Sequence, residues 1–165
     1  MKLSLADKVS LSRIPLTILF ILFIGNQFLS LIILTLVIIS DILDGYLARK
    51  SKTTKFGATL DPLMDKFFIV TTFIFFLTNQ EISFIQFLFL IIRDIYSISE
   101  MTLIQLLKSE KSHKANIFGK ITTTLQFIAI GFLILRINLV NPLVIIILIS
   151  SLITIISYIR SRWLK

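Results

Sequence analysis

The sequence predicts an all-α integral membrane bundle of six transmembrane helices with both termini cytoplasmic. Composition, the spacing of apolar runs and the sidedness of the basic residues carry that prediction. Of 165 residues, 56% are hydrophobic and only 16% charged, and the mean hydropathy of +0.94 lies outside the usual range of soluble domains. Apolar runs recur through the whole chain, so the first is read as a retained helix and not as a removable leader before a soluble body. Residues 1–165 read as a single membrane domain without an internal repeat.

Each helix follows from cutting the chain at its polar breaks, given that a span needs roughly 17 to 25 mostly apolar residues. The first, residues 11–25, is the shortest and ends at Gly25-Asn26-Gln27. Residues 1–10 before it read as a short amphipathic helix on the membrane surface, with Leu3, Leu5 and Val9 toward lipid and Lys2 and Lys8 toward headgroups. The second, 28–49, stops at the basic stretch from Lys50 to Phe56, and the third, 57–78, at Asn79-Gln80-Glu81. The fourth, 82–107, runs into the charged stretch from Lys108 to Ile117, which holds the lone His113. The fifth, 118–137, and the sixth, 142–160, are separated by the break from Asn138 to Asn141.

The first, third and fifth breaks contain no Lys or Arg. Of the 17 basic residues, all but Arg93 and Arg136 fall on or near the opposite side, and the excess of basic residues in cytoplasmic loops then sets the orientation. The net charge of +8 follows from this asymmetry and from attraction to anionic membrane lipids, so no nucleic acid partner is implied. The absence of cysteine excludes disulfides, thiolate zinc sites and cysteine nucleophiles. A single imidazole makes no metal site, so His113 reads as a solvated surface residue.

The densest polar feature is Asp41-Ile-Leu-Asp44-Gly45-Tyr-Leu-Ala48-Arg49, followed after seven residues by Gly57-Ala-Thr-Leu-Asp61-Pro-Leu-Met-Asp65. On helices, Asp41, Asp44, Gly45 and Ala48 recur at i, i+3, i+4 and i+7, and Gly57, Asp61 and Asp65 at i, i+4 and i+8. Each helix therefore shows carboxylates and small residues on one stripe, and the tight connection lets the stripes face one cleft. Four anions near the hydrocarbon boundary repel one another and need cations or protons. Hard oxygen donors in that number favour Mg²⁺ or Mn²⁺, with two ions clamping a diphosphate. Gly45, Ala48 and Gly57 let a nucleotide approach the backbone, and Arg49 offers a planar cation to phosphate oxygens. A purely structural reading, in which the aspartates cap helices and pair with nearby lysines, suits Asp61. It fails for Asp41 and Asp44, which lie near the C-terminal end of their helix, where the macrodipole disfavours anions.

These residues resemble the signature of the CDP-alcohol phosphatidyltransferase family, D-x2-D-G-x2-A-R, a spacer, then G-x3-D-x3-D. Every named position matches, with a spacer of seven residues where eight is commonest. Six helices also agree with the family architecture. At the N-terminus, Asp7 and Ser10 stand where the family often has Asn and Thr, and Arg13 is retained. The resemblance implies that Asp41, Asp44, Asp61 and Asp65 bind two divalent ions, and that Asp65 is also the general base for the acceptor hydroxyl. It implies that Gly45, Ala48, Arg49 and Gly57 hold the CDP portion of CDP-diacylglycerol, that CMP is released, and that the protein is a homodimer.

For the acceptor, Arg93 lies well inside the fourth span, where a charge costs about 2.5–3.5 kcal/mol on insertion scales, so a functional role is expected. Asp94 beside it points about 100° away on a helix and need not be its partner. Arg93 and Lys120 are expected to form a pocket for a phosphate on the acceptor, the alternative for Arg93 being a structural salt bridge to the aspartate cluster, with Gln126 extending that stripe inward or serving helix packing. The block Ile92-Arg93-Asp94, Phe118-Gly119-Lys120 and Gln126 resembles the branch whose acceptor is glycerol 3-phosphate or phosphatidylglycerol. Glycerol 3-phosphate is favoured, with cardiolipin synthesis as the alternative, since Asp94 and Thr122 stand where glycerophosphate enzymes commonly have Glu and Lys and cardiolipin synthases of this fold tolerate Asp and Thr. A divalent-cation transporter, the reading from another class, would need polar residues continuing across the membrane, whereas the outer halves of helices two and three are almost wholly apolar.

Overall fold

In the computed structural model the backbone is described for residues 5–50, 55–106 and 117–163, and side chains for 11–43, 46, 63–64, 66–100, 102 and 117–160. Six α-helices, and no strand among the described residues, make up the chain: α1 Leu5–Phe23, α2 Gln27–Lys50, α3 Lys55–Thr78, α4 Phe84–Leu106, α5 Ile117–Ile134 and α6 Val140–Trp163. Among the described residues, α5 and α6 are long and apolar enough to cross a bilayer, and shorter apolar stretches occupy Leu11–Phe23, Gln27–Leu43 and Lys66–Thr78.

Local chemistry sets the helix ends. Leu5 to Ser10, expected to belong to a separate surface helix, run without interruption into α1, and residues 1–4 lie outside the described residues. Pro15 sits inside α1 and supplies no N–H to its own turn, yet the helix continues through it. Asn26 caps α2, its Oδ1 accepting from the Leu29 N–H at 3.2 Å. At the start of α4, Ser83 and Gln86 form a reciprocal capping box: the Ser83 N–H donates to Gln86 Oε1 at 2.6 Å and the Gln86 N–H to Ser83 Oγ at 3.3 Å. Pro142 lies in the first turn of α6, where a backbone N–H has no helical partner in any case.

Two helices end on left-handed residues that are not glycine. Gln80 has φ 59° and Arg136 has φ 53°. After α3, the Gln80 N–H donates to the Leu77 carbonyl at 3.0 Å and the Glu81 N–H to that of Phe76 at 2.9 Å. After α5, the Arg136 N–H reaches Leu133 at 3.1 Å and the Ile137 N–H reaches Phe132 at 2.9 Å. Both are Schellman caps. The second explains why α5 stops at Ile134, three residues before the apolar run suggests.

The chain comprises two compact units, Met1–Phe75 and Phe76–Lys165. In the first, α1 packs along α2, and Phe20 of α1 meets Phe68 of α3 edge-on with ring centroids 5.2 Å apart. Phe20, Val37, Phe68, Ile69 and Phe73 are buried there beside polar Arg13, Thr17, Ser30, Ser40 and Thr72. In the second, α6 packs against both α4 and α5, burying Leu90, Ala129, Ile130 and Ile147 beside Arg93, Asp94, Gln126, Thr122, Ser151 and Thr154. Meanwhile Leu22, Leu36, Ile145, Ile149 and Ile156 face outward. Polar groups turned inward under an apolar exterior reverse the pattern of a protein folded in water and suit a lipid surround.

Candidate active site

The signature is distributed over two helices of the first unit. Asp41 and Asp44 lie in the second half of α2, and Asp61 and Asp65 in the first half of α3, so the helical register expected from their spacing is present in the backbone. The side chains of Asp44, Gly45, Ala48, Arg49, Gly57, Asp61 and Asp65 lie outside the described residues, as does His113. Asp41 is described. Its carboxylate is 42% exposed, and Oδ1 accepts a hydrogen bond from Arg13 Nη2 at 2.9 Å.

Arg13 is not among the site residues expected from the sequence. Arg13 is 2% exposed and stands in the middle of α1, and its own backbone carbonyl accepts from Thr17 Oγ1 at 2.7 Å. The argument that singles out Arg93, a guanidinium inside an apolar helix, applies equally to Arg13 and would have found it. Oδ1 of Asp41 is tied by a cation on its own unit while the carboxylate as a whole stays nearly half exposed, and among the described residues no three carboxylate or imidazole groups stand together as a metal cluster.

The second unit holds a buried polar network around Arg93. Arg93 is 7% exposed and Asp94 0%. Arg93 Nη1 donates to Asp94 Oδ1 at 3.2 Å and to Thr123 Oγ1 at 3.0 Å, and Thr123 Oγ1 in turn donates to the Gly119 carbonyl at 3.0 Å. Gln126 Nε2 donates to both the Leu90 carbonyl at 2.7 Å and Asp94 Oδ2 at 2.6 Å. The expectation that Asp94 need not pair with Arg93 is therefore corrected. The long guanidinium stem spans the 100° step between adjacent positions, and Gln126 holds the carboxylate in place to meet it.

Lys120 is exposed, and the described partner of Arg93 on α5 is Thr123. Thr122 faces the other way, sharing a hydrogen bond with Ser150 Oγ of α6 at 2.7 Å. Tyr96 and Tyr158 stack across α4 and α6 with centroids 6.5 Å apart and an interplanar angle of 9°. A cavity of about 540 Å³ at the other end of this unit, lined by Glu81, Gln86, Arg136 and Asn141 among others, contains none of the predicted site residues.

A family profile described as CDP-alcohol phosphatidyltransferase matches residues 3–159, nearly the entire chain. The chain belongs to the CDP-alcohol phosphatidyltransferase family. Curated relatives agree. A protein of Haemophilus influenzae is 35% identical over 146 residues, covering 82% of this chain and 76% of its own. One of Aquifex aeolicus is 33% identical over 140 residues, covering 79% and 77%, and one of Wigglesworthia glossinidia brevipalpis is 31% identical over 138, covering 79% and 76%. All three are named CDP-diacylglycerol--glycerol-3-phosphate 3-phosphatidyltransferase. This phosphatidyltransferase is thus an enzyme of phospholipid synthesis, and its apolar α5 and α6 accord with a membrane protein.

Proposed function

We propose that this phosphatidyltransferase transfers the phosphatidyl group of CDP-diacylglycerol to glycerol 3-phosphate, giving phosphatidylglycerophosphate and CMP. The observation that carries the reading is the shared name of three relatives, each at least 31% identical over more than three quarters of this chain. The acceptor assignment gains from Thr122, whose hydroxyl serves the α5–α6 contact. Its departure from the commoner pattern therefore speaks to helix packing and not to a bulkier acceptor.

In this reading all six helices span the membrane, both termini are cytoplasmic, and the active site opens on the cytoplasmic face of a homodimer. Asp41, Asp44, Asp61 and Asp65 would hold two Mg²⁺ or Mn²⁺ ions, which when bound neutralise the diphosphate and stabilise the leaving oxygen. Gly45, Ala48, Arg49 and Gly57 admit and orient the CDP portion. Arg93, with Lys120, binds the phosphate of the acceptor. Asp65 takes the proton from the acceptor hydroxyl; the oxygen bonds to the phosphorus bearing the diacylglycerol, and the bond from that phosphorus to the bridging oxygen of CMP breaks. CMP carries away the electron pair, and no covalent enzyme intermediate is needed.

The test supplies purified protein with CDP-diacylglycerol and either glycerol 3-phosphate or phosphatidylglycerol and identifies the lipid product by mass spectrometry. Phosphatidylglycerophosphate formed with Mg²⁺ or Mn²⁺ and abolished by EDTA is expected. Cardiolipin as the product would replace the acceptor assignment, and full turnover in excess EDTA would end the metal assignment.

A further inference from the structure

In the second unit, the buried guanidinium of Arg93 is held on one side only. Nη1 makes both described hydrogen bonds, to Asp94 and Thr123, and Nε is buried without a partner among the described residues. The other amino group, Nη2, lies against Gly119, where a side chain would not fit: a Cβ there would stand 2.7 Å from Arg93 Nη2 and 3.2 Å from the Tyr158 hydroxyl. Asp94 is in turn fixed by Gln126, whose two amide hydrogens go to Asp94 and to the Leu90 carbonyl while its Oε1 is buried unpartnered. An amide oxygen left unsatisfied in the interior is a cost that packing alone does not explain.

We propose that Asp94, Gln126 and Gly119 are positioning residues for Arg93. Gln126 fixes the Asp94 carboxylate, Asp94 fixes Nη1, and the missing side chain at Gly119 leaves Nη2 the room to present its N–H groups to the acceptor's phosphate. This rests on the reading that Arg93 binds that phosphate. It adds that affinity for a phosphorylated acceptor is set by three residues that need not touch it. Arg93 shares its charge with a buried carboxylate, so its contribution depends on where the fork points more than on its net charge.

The test uses the full-length enzyme in lipid nanodiscs and the variants Gly119→Ala, Gln126→Leu and Arg93→Ala, with each of the first two also combined with Arg93→Ala. For each, the KM for glycerol 3-phosphate, the KM for CDP-diacylglycerol and the melting temperature are measured, together with glycerol 3-phosphate binding by calorimetry. Gly119→Ala is the sharper probe. The atom its methyl group meets is the end of a flexible side chain, and alanine is the better helix former, so the melting temperature should hold while Arg93 is displaced. Each single variant is expected to weaken acceptor binding and raise its KM about tenfold or more, as for loss of a charge-assisted contact, with the donor KM unchanged. In the Arg93→Ala background neither change should weaken acceptor binding further, because both act through the guanidinium.

If Arg93→Ala raises the acceptor KM but Gly119→Ala does not, or if their effects add in full, the positioning role is overturned and the acceptor reading stands. If Arg93→Ala itself leaves the acceptor KM unchanged, both fall together. Should Gln126→Leu fail to fold, Gly119→Ala and its double variant decide the matter alone.

Discussion

At the scale of single residues, the chemistry turns on carboxylates whose neighbours differ. Asp41 is tethered by Arg13, so Arg13→Met, which keeps the buried volume and removes the donor, should raise the Mg²⁺ concentration needed for half-maximal activity. A metal titration of the variant checks this, and an unchanged half-saturation would show that Arg13 serves the fold alone. On the proposed roles, Asp65→Asn should nearly abolish turnover while CDP-lipid binding partly survives, because it would remove the proposed base and one proposed metal contact; Asp44→Asn should weaken binding as well. Equal losses of binding and turnover in both would remove the base from Asp65. The aspartates could be singled out from the sequence because the family signature is a local pattern of fixed spacing. The Arg13–Asp41 and Gln126–Asp94 pairs join residues 28 and 32 positions apart, and no local pattern announces such a pair.

At the scale of helices, apolar run length and polar breaks located all six elements, and the errors fall at their ends. Run length says how far a segment can stay in lipid, whereas a cap decides where hydrogen bonding stops. The start of α4 was written in Ser83 and Gln86 as a capping box, but the ends of α3 and α5 carry no glycine to mark them. Gln80 and Arg136 occupy left-handed backbone at φ 59° and 53°, a region that costs an L-residue roughly 1–2 kcal/mol and glycine little. Gln80→Gly and Arg136→Gly should each therefore stabilise the protein, by about 0.5–1 kcal/mol once the greater freedom of glycine in the unfolded chain is subtracted. Thermal unfolding in detergent reads this directly, and a lower melting temperature in either variant would mean that the side chain holds its cap by contacts that outweigh the backbone strain.

At the scale of the whole molecule, the proposed topology makes a prediction that the composition renders easy to check. The chain has no cysteine, so single cysteines report on their own positions. Asn138→Cys should react with an impermeant maleimide from outside intact cells, and Thr53→Cys only after the membrane is opened, because several basic residues flank the second site whereas Arg136 is the one basic residue in the loop that holds the first. Labelling with the opposite sidedness would invert the bundle. Helix number, helical class and family were readable from the sequence because long apolar runs between polar breaks mark helices and the family signature is a local pattern of fixed spacing. The inward-facing polar seams of Thr122, Ser150 and Thr154 were not, since a Ser or Thr in a helix reads alike whether it faces a neighbouring helix or lipid.

The tether between Arg13 and Asp41 also bears on how the chain is made. Arg13 is the ninth residue of a 19-residue helix, and a guanidinium at the centre of a span costs the translocon about 2.5–3.5 kcal/mol. Its partner is synthesised 28 residues later, on the next helix. On the six-span topology, α1 is thus a poor passenger by itself and a better one when delivered with α2 across their short connection. Nascent chains halted after α1 should integrate less completely than chains halted after α2, and Asp41→Leu should narrow that difference. A side-chain contact at the edge of the catalytic cluster would then have its first use on the ribosome, before any substrate is bound.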